Sequence, residues 1–133
     1  MENKYTKEDV HNATLEYFDG DELATNVWTS KYALRDLEDN YYEKTPDDMH
    51  RRLAKEFARI EANYPESMSE DEIYNLFKDF KYIVPQGSPM SGIGNPFQIQ
   101  SLSNCFVISS PEDSYGGIPV SYTHLRAHET HRY

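Results

Sequence analysis

Between residues 5 and 80, apolar side chains recur at helical spacing, and residues that start or stop helices punctuate each run. Thr6 with Asp9 forms a T-x-x-D start, in which the hydroxyl accepts an otherwise orphaned backbone N–H. Val10, Leu15 and Phe18 are the apolar positions of the helix that follows. Asp19-Gly20-Asp21 breaks it, with Asp19 or Asp21 placed to cap the next. Leu23, Val27 and Trp28 give a second amphipathic stretch towards Tyr32. The third helix is the clearest. Thr45 can cap it, Pro46 suits the first position because its missing N–H is an orphan there anyway, and Asp47 and Asp48 favour the positive end of the helix dipole. Met49, Leu53, Phe57 and Ile60 lie at i, i+4, i+8 and i+11 on one face, while Arg51, Arg52, Lys55 and Glu56 mostly face elsewhere. Pro65 lies beyond its end. Ser69 with Glu72 opens a fourth helix as a capping box, and Ile73, Leu76, Phe77 and Phe80 form its apolar side. These stripes read as core packing and not as a cofactor box. His11 and His50, beside charged residues, read as solvated helix positions, and the acidic stretches 36–39 and 70–72 as solvated faces and caps.

The pattern changes after Tyr82. Ile83-Val84-Pro85 leads into a segment rich in Gly, Ser and Pro, Gln86 to Pro96. Phe97 to Ser110 then mixes apolar and polar residues until Phe106, Val107 and Ile108 form a compact apolar run suited to a buried strand, with Cys105 just before it. A strand needs neighbours, and this chain supplies few. The organisation expected is mainly α: a helical region over 1–82, followed over 83–118 by the first strand of something much larger.

With 133 residues the chain is one ordinary domain or a piece of a larger protein. A net charge of -10 argues against an extended contact with a nucleic-acid backbone, which needs a basic stripe. The 11 Tyr and 6 Phe argue against compositional disorder. The single cysteine, Cys105, excludes an internal disulfide and a multi-cysteine zinc site. No apolar run approaches the roughly 20 residues of a membrane span, and no secretory leader is evident. A cytoplasmic setting is expected, with no membrane partner.

The end of the chain is of a different kind. Val120 to Thr130, VSYTHLRAHET, resembles the in-frame translation of a transposase adaptor used in preparing sequencing libraries. Residues 119–133 are therefore expected to derive from adaptor, with the natural sequence running to Ile118 or Pro119. His124, His128 and His131 would otherwise look like a metal-ligand cluster at helical spacing. On this reading they carry no selected function, and no metal site is expected.

Two segments carry a family resemblance: YEKTPDDMHRRLAKEFARIE, Tyr42 to Glu61, and KYIVPQGSPMSGIGNPFQIQSLSNCFVISSPEDSYGGI, Lys81 to Ile118. Both resemble the N-terminal region of class II ribonucleotide reductases, which use adenosylcobalamin. The SPMSG…SLSNCF arrangement is the more specific of the two. The resemblance implies an N-terminal helical region followed by the first strand of the catalytic α/β barrel. It implies that Cys105 is one of two thiols that reduce the ribose. A thiyl radical on another cysteine removes the 3′ hydrogen, the 2′ hydroxyl leaves as water, and the thiol pair closes to a disulfide. From the residues alone, a lone Cys beside Phe-Val-Ile is more often a small buried hydrophobe, and no Lys, Arg or His adjoins it to lower its pKa. Ser88 aligns with a small hydroxyl residue that contacts the nucleotide, although a turn residue before Pro89 explains it equally well. Asn104 aligns with a substrate-contacting position that often carries Ser. Gly92 and Gly94 are a weak sign of backbone approaching a ligand.

The resemblance further implies ribonucleoside diphosphate substrates, nucleotide effectors, a thioredoxin-type reductant and a homodimer for the full-length enzyme. The fragment is expected to be inactive alone and to bind no cofactor. A class I large subunit, whose radical comes from a separate metalloprotein, is the neighbouring alternative. An acidic helical interaction module without chemistry is the alternative of a different kind.

Overall fold

The computed structural model describes residues 4–103, 105, 107 and 110–120. Among these, five α-helices follow one another: α1 Lys7–Tyr17, α2 Glu22–Lys31, α3 Pro46–Glu61, α4 Glu70–Phe77 and the short α5 Gly87–Gly92. A 3-10 turn over Lys78–Phe80 closes α4.

The local signals set the helix starts. The Thr6 hydroxyl accepts the Asp9 N–H at 3.2 Å while the Asp9 carboxylate accepts the Thr6 N–H at 3.3 Å, so two orphan donors are satisfied reciprocally. Ser69 and Glu72 repeat the arrangement at α4. Between α1 and α2, Asp19 and Gly20 take positive φ, 51° and 88°, and Asp21 makes the cap by accepting the Ala24 N–H at 3.0 Å. Pro46 opens α3, and the Asp48 carboxylate accepts the N–H groups of Lys44 and Thr45 at 2.8 and 3.2 Å.

Helix α3 packs chiefly on α4, and α1 on α2. Val10, Trp28, Tyr41, Met49, Leu53, Ile73, Tyr74 and Phe77 belong to a shared core. The link between α2 and α3 is tied by Asp36. Its carboxylate accepts from the backbone of Glu38 and Asn40, the Asn40 amide and the Tyr42 hydroxyl. Those donors, the Asn40 amide foremost, hold the Asp36 carboxyl down at about 2.

The buried faces differ from the sequence pattern at four places. On α2, Leu23 is exposed, and Thr25, Trp28 and Thr29 turn inward. Thr25 can take a core position because its hydroxyl is satisfied within the helix, donating to the Asp21 carbonyl at 2.8 Å, whereas the buried Thr29 hydroxyl has no hydrogen-bond partner. On α3, Met49 and Leu53 are fully buried, but Phe57 and Ile60 are 40 % and 45 % exposed, Phe57 while still stacked on Phe77 of α4 with ring centres 5.7 Å apart. His50, expected in solvent, is completely buried, with its ring edge-on to Phe80 at 4.5 Å. It shares a face with Ala54 one turn on, and the 3-10 turn covers that face. His11 is half-buried, 3.4 Å from the Glu22 carboxylate.

The expected strand falls mostly outside the described residues. Among the described residues there is no strand, only isolated bridges of Tyr41 with Tyr5 and Arg35. Val107 is fully exposed, and Phe106 and Ile108 lie outside the described residues.

Neither ring nitrogen of His50 has a hydrogen-bond partner, and burial lowers its pKa, opposed by the nearby Asp47 and Asp79. The folded state therefore resists protonation that the unfolded state accepts. Protonation of His50 adds no cost above the unfolded value near 6.5, and stability falls as pH drops below it towards the lower folded value. The melting temperature should decline between pH 7 and pH 5, and His50→Leu should flatten that decline without loss at pH 7. Equal declines in both proteins would rule this out.

Candidate functional site

The segment after α4 returns across the helical layer. Met90 and Ile93 pack against the core. Side chains built into this segment hold its shape. The Ser91 hydroxyl donates to the Gly87 carbonyl at 3.1 Å and accepts from the Gln100 amide at 2.9 Å. The Asn95 amide nitrogen donates to the Ser91 carbonyl at 3.2 Å, and the Asn95 side-chain oxygen accepts the Phe97 N–H at 2.9 Å. Phe97 lies on Tyr42 with ring centres 4.8 Å apart.

One side chain of the helical layer reaches into this segment. Arg52 on α3 donates from Nη2 to the Met90 carbonyl at 2.8 Å and from Nη1 to the Ile93 carbonyl. Its Nε donates to Glu43 Oε1 at 2.6 Å, and Glu43 Oε2 accepts the Leu34 N–H at 2.9 Å. The two side chains are 10 % and 4 % exposed. Arg52 therefore does not face outward as its charge suggested. It sits at i+3 from Met49, which was the available sign. Burial pushes the Glu43 carboxyl up, against the pull of the Arg52 guanidinium and the Leu34 N–H. The guanidinium suits this junction because one rigid fork serves a carboxylate and two carbonyls at once.

Two glycines belong to this junction. Gly94 has φ +69°, and a Cβ there would stand 3.0 Å from Arg52 Cγ. A Cβ on Gly92 would stand 2.8 Å from Leu102 Cδ2 and closer still to the Gln100 amide. Both close approaches are to side chains of this chain, and Gly94 also stands in the wall of a cleft.

Of the residues singled out in the sequence, Ser88 is half-buried on α5, two residues before Met90. Cys105 is an exposed free thiol and not a small buried hydrophobe. Asn104 lies outside the described residues, as do His124, His128 and His131. Neither Ser88 nor Cys105 lines either of the two main clefts. The larger, about 580 Å³, has Tyr5, Tyr42, Asp48, Lys55, Arg59 and Gly94 among its walls. The smaller, about 310 Å³, is apolar, with walls that include Phe57, Ile73, Leu76, Ile83 and Ile93. No group of His, Cys, Asp and Glu suited to a metal ion occurs among the described residues. No helix among them is long and apolar enough to cross a membrane.

A second polar cluster, missed in the sequence, joins α3 and α4. The Tyr74 hydroxyl donates to Asp47, Arg51 pairs with Asp47 at 3.3 Å, and the Arg51 guanidinium lies 4.1 Å from the Tyr74 ring centre. Burial, then the bond to Asp47, raises the Tyr74 hydroxyl to about 12. No sequence pattern announced Tyr74 as buried, because it stands beside Ile73 and not in the apolar stripe.

No curated protein and no solved structure matches the chain. The family described as "Ribonucleotide reductase, all-alpha domain" matches residues 18–95, more than half of the chain, from the end of α1 to just past α5. Its span contains the Glu43–Arg52 junction and Ser88 but stops short of Cys105. The chain belongs to the ribonucleotide reductase family, through its all-alpha domain.

Proposed function

We propose that this chain is the N-terminal region of a class II ribonucleotide reductase catalytic subunit that reduces ribonucleoside diphosphates in the cytoplasm. The observation that carries the reading is the order of two signals. The all-alpha domain spans 18–95, and SLSNCF, with the redox-cysteine arrangement of the family, follows at once. On this reading Cys105 is one of the two reducing thiols, and its exposure leaves the sulfur open to substrate and to a barrel that surrounds it. Ser88 and Asn104 contact the nucleotide. A single cysteine cannot close the disulfide that carries two electrons to the ribose. The chain alone is thus inactive, and the radical cysteine and second thiol belong to the remainder of the subunit.

Adenosylcobalamin is the cofactor of that class and supplies its radical. The described residues do not fit it. Both clefts fall within the roughly 300–1,000 Å³ of ordinary small-molecule sites, and a corrinoid with its nucleotide arm is larger than the ligands those hold. Its contacts, those of nucleotide effectors and of a thioredoxin-type reductant, and the homodimer interface belong to the rest of the enzyme. The class I alternative shares the roles of Ser88, Asn104 and Cys105 and differs in its radical source.

The test begins with the unbroken gene. Two further barrel cysteines, a carboxylate near the radical cysteine and a C-terminal cysteine pair are expected downstream. The encoded enzyme should make deoxynucleotides only when adenosylcobalamin is added, and residues 1–133 alone should give no turnover above a protein-free control. Activity that needs a separate metalloprotein would move the assignment to class I. A downstream sequence without these cysteines would reject the reductase chemistry in favour of an interaction module.

A further inference from the structure

We infer that Arg52, held by Glu43, is a positioning residue for the substrate-contacting turn that carries Ser88. The inference rests on the proposed role of Ser88. α5 is a six-residue helix and too short to hold itself in water. Its last carbonyls have no partners within the helix. Asn95 donates to those of Ser91 and Gly92, and Arg52, from a rigid helix of 16 residues, donates to that of Met90 and to that of Ile93, the residue that caps the helix. Glu43 fixes the guanidinium from the other side, and the Leu34 N–H fixes Glu43.

The chain of contacts therefore runs from the α2–α3 link through Glu43 and Arg52 to the turn that follows Ser88. Ser88 lies two residues from one clamped carbonyl and five from the other. A shift of the clamp rotates α5 about its C-terminal end and moves the Ser88 hydroxyl. Gly94 belongs to the same device, because any Cβ there would push on the Arg52 stem. Arg52 acts through the backbone that presents Ser88.

Lysine keeps the charge of Arg52 but cannot serve three oxygens with a fork. In the complete reductase, Arg52→Lys should raise the substrate dissociation constant by about tenfold, the scale of one charge-assisted hydrogen bond. Turnover at saturating substrate should change little. Ser88→Ala should weaken binding similarly, and the double variant should be no weaker than the worse single one. A merely structural Arg52 would change melting temperature without this split or this non-additivity. Should Arg52→Lys not fold, Gly94→Ala at an exposed position takes its place in the same cycle. Folded clamp variants that bind substrate normally, or whose effect adds fully to Ser88→Ala, overturn the positioning role and leave the Ser88 assignment standing. Normal binding by Ser88→Ala overturns both, and does so through a different variant.

Discussion

In the complete reductase, Cys105→Ser should abolish normal turnover while nucleotide binding survives. Serine keeps similar size and a proton but cannot form a disulfide. Hydrogen abstraction at the 3′ position should also survive, because the proposed chemistry assigns it to a different cysteine. The variant should start the reaction and fail midway, releasing base or inactivating itself. The alternative is that Cys105 is only a packing residue in the assembled enzyme. A buried hydroxyl would then cost about 1–3 kcal/mol of stability, and the folded protein would keep its turnover. Deoxynucleotide yield per folded enzyme, measured beside exchange or release of the 3′ hydrogen, separates the two. Near-normal yield would refute the catalytic assignment.

Removing the guanidinium should produce the largest stability loss in the helical layer. Arg52→Met leaves the Glu43 carboxylate buried without its counter-charge, and breaking one side of a buried pair costs about 3–5 kcal/mol. The loss should depend on pH. Burial already raises the Glu43 carboxyl, and without Arg52 nothing of opposite charge opposes it. A carboxyl raised in the folded state contributes most below its unfolded value near 4.5 and loses that contribution as pH rises. The variant should therefore be closest to wild type near pH 4 and furthest from it at neutral pH. Adding Glu43→Gln should recover much of the loss at pH 7, since the amide oxygen can still accept the Leu34 N–H. Urea midpoints at several pH values measure this. A loss that is independent of pH, or not relieved by Glu43→Gln, would show that the cost lies in packing and not in the stranded charge.

The helix starts were readable because they depend on neighbours three residues apart. Thr6 with Asp9, Ser69 with Glu72 and Pro46 each act within one turn, so the sequence carries the whole interaction. The inward faces were readable only while the inward residues were apolar. Thr25 is inside because its hydroxyl is satisfied by its own helix, His50 because the 3-10 turn lies over it, and Arg52 because its partners are 9, 38 and 41 residues away. Distances of that kind leave no local pattern. The order of the Ser88 and Cys105 motifs was legible through the family resemblance, whereas the junction that binds α5 to the helical layer was not. The strand expected at Phe106-Val107-Ile108 is a different case: the apolar run is plain in the sequence, but a sheet is made by other segments, and one run cannot announce them.

The Glu43–Arg52 junction also constrains how such enzymes can be recombined. A segment transplanted from a relative brings its own carbonyl positions and its own residue at 94, whereas the arginine and its carboxylate stay with the host. Crossovers between 53 and 90 would split the set, pairing a guanidinium with a turn that never met it. Crossovers before 43 or beyond 94 would keep donor, acceptor and glycine together. Libraries of chimeras cut at these two kinds of site should differ sharply in the fraction that yields soluble protein, and the difference should follow residues 43, 52 and 94 more closely than overall identity.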